Sequence, residues 1–233
     1  MAWLGLSPEE TTAVLLSLRV SFWAMAFSLP FGVLTALLLA RGRFRGKSVL
    51  NAAVHLPLIM PPVAVGYVLL LLFGRQGPIG AFLADHFGIV FAFRWTGAAL
   101  ASAVMSFPLM VRAIQLSIEG VDRKLEDAAG TLGASPSWVF VTVTLPLILP
   151  GILAGMILAF AKAMGEFGAT ITFVSSIPGE TATLPMAIHG LLQVPDGGVG
   201  ALRLTLVSIG VSMAALMVSE WMQRRAQRRV AGL

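Results

Sequence analysis

A chain of 233 residues that is 57% hydrophobic and only 12% charged, with a mean hydropathy of +0.88, lies outside the range of soluble globular domains, where apolar content is near half and about a quarter of residues are charged. Those proportions describe a membrane protein. A net charge of +5 invites a nucleic-acid reading, but the basic residues stand in short clusters beside apolar runs, where they orient spans and meet anionic headgroups; the absence of cysteine excludes disulfides, thiolate metal sites and thiol nucleophiles.

The opening MAWLGLSPEE is acidic and has neither a basic n-region nor a clear small-residue cleavage site, so the first apolar run is expected to be a retained anchor. Residues 14–40 form that span, which ends at the cluster Arg41, Arg43, Arg45 and Lys47. Residues 49–73 cross back and lead to a less basic loop whose 79–93 part is expected against the membrane surface. Residues 95–118 return and deliver an amphipathic segment, 121–146. Residues 147–163 cross again and continue irregularly towards 173. A Gly- and Pro-rich loop over 175–200 should hold a short helix at 184–193, and 201–221 is the last span, followed by Arg224, Arg225, Arg228 and Arg229.

Each run approaches or exceeds the roughly 20 residues needed to cross a ~30 Å hydrocarbon core, so five crossings are predicted. The first-loop cluster, Arg123 with Lys124, and the tail all fall on one side, against Arg19, Arg75, Arg94 and Arg203 near the other. By the positive-inside rule the N-terminus is outside and the C-terminus cytoplasmic. No internal repeat or boundary divides the sequence, so it reads as one all-α membrane domain over residues 1–233.

The segment 121–146 predicts two short helices outside the bilayer. Val121, Leu125, Ala128, Ala129 and Leu132 share one side of a 3.6-residue period, and Asp122, Arg123, Lys124, Glu126 and Asp127 share the other. Asp122 suits an N-cap, Gly133 a left-handed helix end, and Ser135-Pro136 a second N-cap with proline at the first helical position. The second helix is expected to run towards Pro146.

Two further stretches carry candidate chemistry. Pro61-Pro62 falls mid-span, where two consecutive missing N–H groups force a break; the pair either lines a pathway or serves packing. Lys162 and Glu166, four apart, share a helix face near the hydrocarbon core. They form either a structural salt bridge or, with Lys162, Thr170, Thr172, Ser175 and Ser176 as donors, part of a route for an anion. GRFRGKS at residues 42–48 mimics a phosphate-binding loop but has three residues, not four, before its Gly-Lys pair and no preceding strand, so ATP binding by this chain is not expected. His55, His86 and His189 lack metal-ligand spacing, and no cofactor is expected.

These motifs carry a resemblance. Asp127-Ala128-Ala129, three residues, Gly133, nine residues, then Val143-Thr144-Leu145-Pro146 resembles the EAA loop of ABC importer permeases, with Asp for the usual Glu and Val for the usual Ile. Gly165-Glu166-Phe167-Gly168-Ala169 is similar to a signature of molybdate and sulfate permeases. Its continuation FVSSIPGETATLP, with HLPLIMPPVAVGYVLLL (55–71) and SFPLMVRAIQLSIEGVD (106–122), resembles the molybdate branch, over about 14–221. The resemblance implies a MetI-like helical bundle and a homodimer working with two copies of an ABC ATPase subunit and a periplasmic molybdate-binding protein. The bracket residues Asp127, Ala128, Ala129, Gly133, Leu145 and Pro146 would couple to the ATPase, and the remaining expected contacts are molybdate and the bilayer, not nucleic acid. Tungstate and sulfate, also tetrahedral dianions, remain alternative cargoes. A secondary transporter or channel would predict internal repeats and no bracket, and an intramembrane enzyme would need convergent nucleophile and base groups.

Overall fold

The computed structural model describes residues 6–231; Met1–Gly5 and the side chains of the four tail arginines lie outside the described residues. Among those described, all regular structure is helical. Helix α1 (Pro8–Arg41) opens with a capping box: the Ser7 hydroxyl accepts from the Glu10 N–H at 3.1 Å, and the Glu10 carboxylate accepts from the Ser7 N–H at 2.6 Å. At 1.5 Å per residue it is ~51 Å long, more than the hydrocarbon core requires, so its ends project. Its buried face carries Ser17, Ser21, Ala24, Ser28, Gly32 and Ala36. These small side chains let the backbone approach α5 (Trp95–Glu119), the other uninterrupted crossing in the centre.

The run 49–73 is not one kinked helix. It is α2 (Lys47–Ile59) and α3 (Pro62–Phe73), bent by 114° at Met60-Pro61. Met60 before a proline is held extended, with ψ 148°, and Pro62 begins α3 at its first turn, where no N–H is needed. The two halves also change layer. Leu50 and Val54 of α2 pack with Ala36, Leu39, Met110, Ile114 and Ile148, whereas Val65 and Leu69 of α3 pack with Leu16, Val20, Ala98, Met105 and Phe173. Counting this pair as a broken span gives five crossings, the others being α1, α5, the helix over Pro136–Met164 and Gly198–Val218.

The segment after α3 holds α4 (Pro78–Phe87). The amphipathic segment forms α6 (Arg123–Thr131) and α7 (Pro136–Val139), separated by Gly133 at φ +86°. Pro146 does not end the second helix as the sequence suggested. A π-helical turn over Phe140–Thr144 joins α7 to α8 (Leu145–Met164), and the wider turn tolerates the donor that Pro146 lacks. The short α9 (Gly168–Val174), α10 (Leu184–Leu191) and the long α11 (Gly198–Ala231) complete the fold. The backbone N–H of Leu184 donates to the Ser17 hydroxyl at 2.6 Å, and Arg203 pairs with Glu10 at 3.1 Å, tying α10 and α11 to α1.

Candidate functional site

Two places carry the sequence candidates, one at the bracket formed by α6 and α7 and one at a junction of broken helices. In the bracket the Asp122 side chain accepts from the Lys124 N–H at 3.0 Å, and Ser135 from the Trp138 N–H at 3.4 Å, so both caps form. Asp127, Ala128 and Gly133 are exposed, Ala129, Leu145 and Pro146 half-buried. Much of the apolar side of α6 is not covered by the rest of the chain: Leu125 is 50% and Leu132 89% exposed, and Trp138 of α7 is 62% exposed. Exposed large apolar side chains on a charged helical bracket have the composition of a contact surface.

Residues that sequence reasoning missed hold this bracket in place. Glu126 Oε1 accepts from Arg41 Nη2 at 3.0 Å and from the Thr144 hydroxyl at 2.7 Å. One carboxylate oxygen therefore joins the end of α1, the middle of α6 and the π-helical turn that enters α8. Arg41 and Glu126 are 85 residues apart in sequence, and nothing local signals their contact. The pair also lines a cavity of about 980 Å³ under the bracket, with Asp127, Thr131 and Phe140.

At the second place the two breaks foreseen in the sequence meet. Helix α8 ends at Met164, the chain turns through Gly165-Glu166-Phe167, and α9 lies along α3. The approach is as close as backbones allow: a Cβ on Gly66 would fall 2.5 Å from the Ala169 carbonyl oxygen, and one on Gly168 would fall 2.8 Å from Pro62 Cβ. Pro61-Pro62 and the Gly165–Ala169 turn are thus one junction. A glycine inside an apolar run was the available signal for this contact.

Lys162 and Glu166 do pair, Nζ to Oε2 at 2.7 Å. Glu166 is only 2% exposed and has a second function, because its Oε1 accepts from the backbone N–H of Ala169 at 3.1 Å in the first turn of α9. It spans the break from both sides. The hydroxyls are arranged differently from a row of free donors. Thr170 donates to the carbonyls of Phe167 (2.9 Å) and Glu166 (3.2 Å), and Thr172 to that of Gly168 (2.8 Å), so these side chains close their own helical turn. Ser175 and Ser176 are exposed beyond α9. Ser175 has φ 57° and ψ 174°, a region costly for a residue with a Cβ, and the buried Thr181 hydroxyl fixes it by donating to its carbonyl at 2.7 Å.

The sequence matches the family described as binding-protein-dependent transport system inner membrane component over residues 28–232. This chain belongs to that family. It is 59% identical to the molybdenum transport system permease protein ModB of Escherichia coli (strain K12), over 96% of this chain and 98% of the relative. It is 52% identical to the protein of the same description in Haemophilus influenzae, over 95% and 96% of the two chains. A bacterial alginate ABC transporter, solved in complex with an alginate pentasaccharide-bound periplasmic protein, contains a chain that superposes with a TM-score of 0.72 at 20% identity, covering 98% of this chain and 82% of that one. The family places the chain among ABC importer permease subunits, multi-pass proteins of the inner membrane that are not themselves catalytic.

Proposed function

We propose that this chain is the permease subunit of an ATP-driven importer for molybdate. It works as a homodimer with two copies of a separate ABC ATPase subunit and receives the oxyanion from a periplasmic binding protein. The observation that carries the reading is the bracket, whose uncovered Leu125, Leu132 and Trp138 offer a docking surface beside charged residues, clamped to α1 and α8 through Glu126. A channel or secondary transporter has no use for such a surface. The cargo assignment draws support from 59% identity to a relative described as a molybdenum permease.

In this mechanism ATP binding closes the ATPase pair, the docked bracket moves with it, and the permease dimer turns its cavity outward. Asp127, Ala128, Ala129, Gly133, Leu145 and Pro146 form the coupling element. Pro61, Pro62, Lys162, Glu166, Thr170, Thr172 and Ser175 border the route. The N-terminus lies outside and the C-terminus in the cytoplasm, an orientation supported by the basic cluster Arg41–Lys47 and by Arg123 and Lys124.

The test is reconstitution of the permease with its ATPase and loaded binding protein in liposomes, with uptake of 99Mo-molybdate as the readout. ATP-dependent uptake that competing tungstate or sulfate suppresses to different degrees is expected and would rank the cargoes. Uptake without the ATPase subunit would place the chain in another transport class.

A further inference from the structure

Four basic residues lie towards the outer face: Arg19, Arg75, Arg94 and Arg203. They are treated differently by the fold. Arg203 is neutralised by Glu10 at 3.1 Å. Arg19 on α1, Arg75 just beyond α3 and Arg94 at the start of α5 instead converge, from three separate parts of the sequence, on one cavity of about 930 Å³. Among the described residues no carboxylate forms an ion pair with any of the three. Glu180 also lines the cavity, so three guanidinium groups stand against one carboxylate and the local balance is +2.

Two further features favour an anion there. The Arg19 guanidinium stacks over the Trp95 ring at 3.8 Å from its centroid, which fixes an otherwise mobile side chain at the cavity wall. The same wall includes the first turn of the 25-residue helix α5: the Arg94 N–H donates to the Phe91 carbonyl and the Gly97 N–H to that of Arg94, but Arg94 gives no side-chain cap, and the Trp95 and Thr96 N–H groups make no hydrogen bond among the described residues. Position adds to the argument. The cavity joins the outer end of α3 to Gly179 and Glu180 in the loop leaving α9, and α3 and α9 are the two helices that meet at the junction of breaks. Basic residues on the outer side run against the usual charge bias of membrane proteins, so three that gather without acidic partners call for a use.

We propose that Arg19, Arg75 and Arg94 form an outer vestibule that binds a tetrahedral oxyanion of −1 to −2 charge. This deepens the reading of the chain as an oxyanion importer and rests on it: the vestibule holds the released anion at the mouth of the route. Exposed guanidinium groups suit that use, because they attract a dianion at long range yet remain hydrated enough to release it. The same chemistry would also accept a lipid phosphate, an oxyanion that asks for the same guanidinium donors.

The experiment uses the complete permease–ATPase complex in nanodiscs, without binding protein, and measures equilibrium binding of 99Mo-molybdate. In phosphatidylcholine discs the wild type should bind molybdate with an affinity that falls as salt rises from 50 to 500 mM. R75Q/R94Q should weaken binding by roughly ten- to a hundredfold, while R75K/R94K, which keeps the charge, should retain most of it and control for folding. If molybdate does not bind but native mass spectrometry finds phosphatidylglycerol retained by the wild type and lost from R75Q/R94Q, the oxyanion is a headgroup. Equal binding by wild type and R75Q/R94Q, or neither anion held, overturns the proposal. ATP-driven uptake is measured with the binding protein in matched preparations: uptake by the wild type with no vestibule binding sinks the vestibule alone, whereas absence of wild-type molybdate uptake sinks the cargo reading whatever the binding result.

Discussion

Lys162 and Glu166 offer the sharpest test of the junction, because the structure gives the two ends of their ion pair unequal duties. From the sequence alone, exchanging the residues should restore a simple salt bridge. The fold predicts otherwise. Lys162→Ala leaves a carboxylate that is 2% exposed without its cation, and breaking a buried pair from that side costs about 3–5 kcal/mol. The retained bond from the Ala169 N–H puts this variant towards the lower figure. Glu166→Gln should be milder, about 1 kcal/mol, since an amide oxygen still accepts from Ala169 and Lys162, 30% exposed, still reaches water. The exchange K162E/E166K recreates the charges but puts at 166 a side chain with no acceptor, leaving the buried Ala169 N–H unsatisfied at about 1–3 kcal/mol. Thermal stability of the detergent-extracted complex and molybdate uptake should both rank wild type, then Glu166→Gln, then the exchange and Lys162→Ala. Full recovery in the exchange, or a loss in Glu166→Gln as large as in Lys162→Ala, would refute this account.

Other expectations follow from single contacts. Gly66→Ala places a methyl 2.5 Å from the Ala169 oxygen and 2.9 Å from its Cα, backbone atoms that cannot rotate away, so overpacking of about 1–3 kcal/mol should lower the melting temperature and uptake together; an unchanged melting curve refutes the close approach. At Gly133 an added Cβ meets nothing within 4 Å, but Gly133→Val is strained at φ +86° by about 1 kcal/mol or more; membrane level should survive while ATPase co-purification and uptake fall, and normal uptake sinks the idea. Glu126→Ala removes both clamp bonds, about 1–2 kcal/mol after allowance for partial exposure, and should lower molybdate imported per ATP hydrolysed; an unchanged ratio would show the clamp to be incidental. A reporter active only outside the cytoplasm should be silent after Lys47 or Ser135 and active after Gly80 or Gly179; activity at Ser135 would put the bracket on the wrong side.

What the sequence made legible was whatever local chemistry decides. Asp122, Gly133 and Ser135-Pro136 mark helix ends because caps and left-handed residues act over one turn, and each is found at its expected place. The proline pair announced a break for the same reason. Its size, 114°, was not readable, since it depends on where α3 finds its partner. The π-helical turn at Phe140–Thr144 was equally hidden: Pro146 looked like a terminator, yet a widened turn carries the helix past it. The Glu126 clamp joins positions 41, 126 and 144, which no window on the sequence brings together. Nor did hydroxyl content predict hydroxyl use, because Thr170 and Thr172 have nearby carbonyls of their own helix to satisfy.

The division into continuous and broken helices has a mechanical consequence. Helices α1 and α5 run without interruption and pack on each other in both of the large apolar clusters, so they form a spine that links the two layers. The chain from Pro136 to Met164 is continuous from the bracket to the junction, a rod of 29 residues and ~43 Å. It gives a direct covalent path from the bracket to Gly165, interrupted in its regular hydrogen bonding only at the π-helical turn and at Pro150. Beyond that point the chain changes direction, and Glu166 ties the end of the rod to α9 through Lys162 on one side and Ala169 on the other, while α9 is locked to α3 across Gly66 and Gly168. In the proposed transport mechanism, tilt of the Pro136–Met164 helix carries the tied α3–α9 pair with it, so that a route bordered by those two helices opens on one side at a time. Continuous helices in place of the two breaks would couple the bracket to the outer face only by moving the spine, at the cost of its packing in both layers.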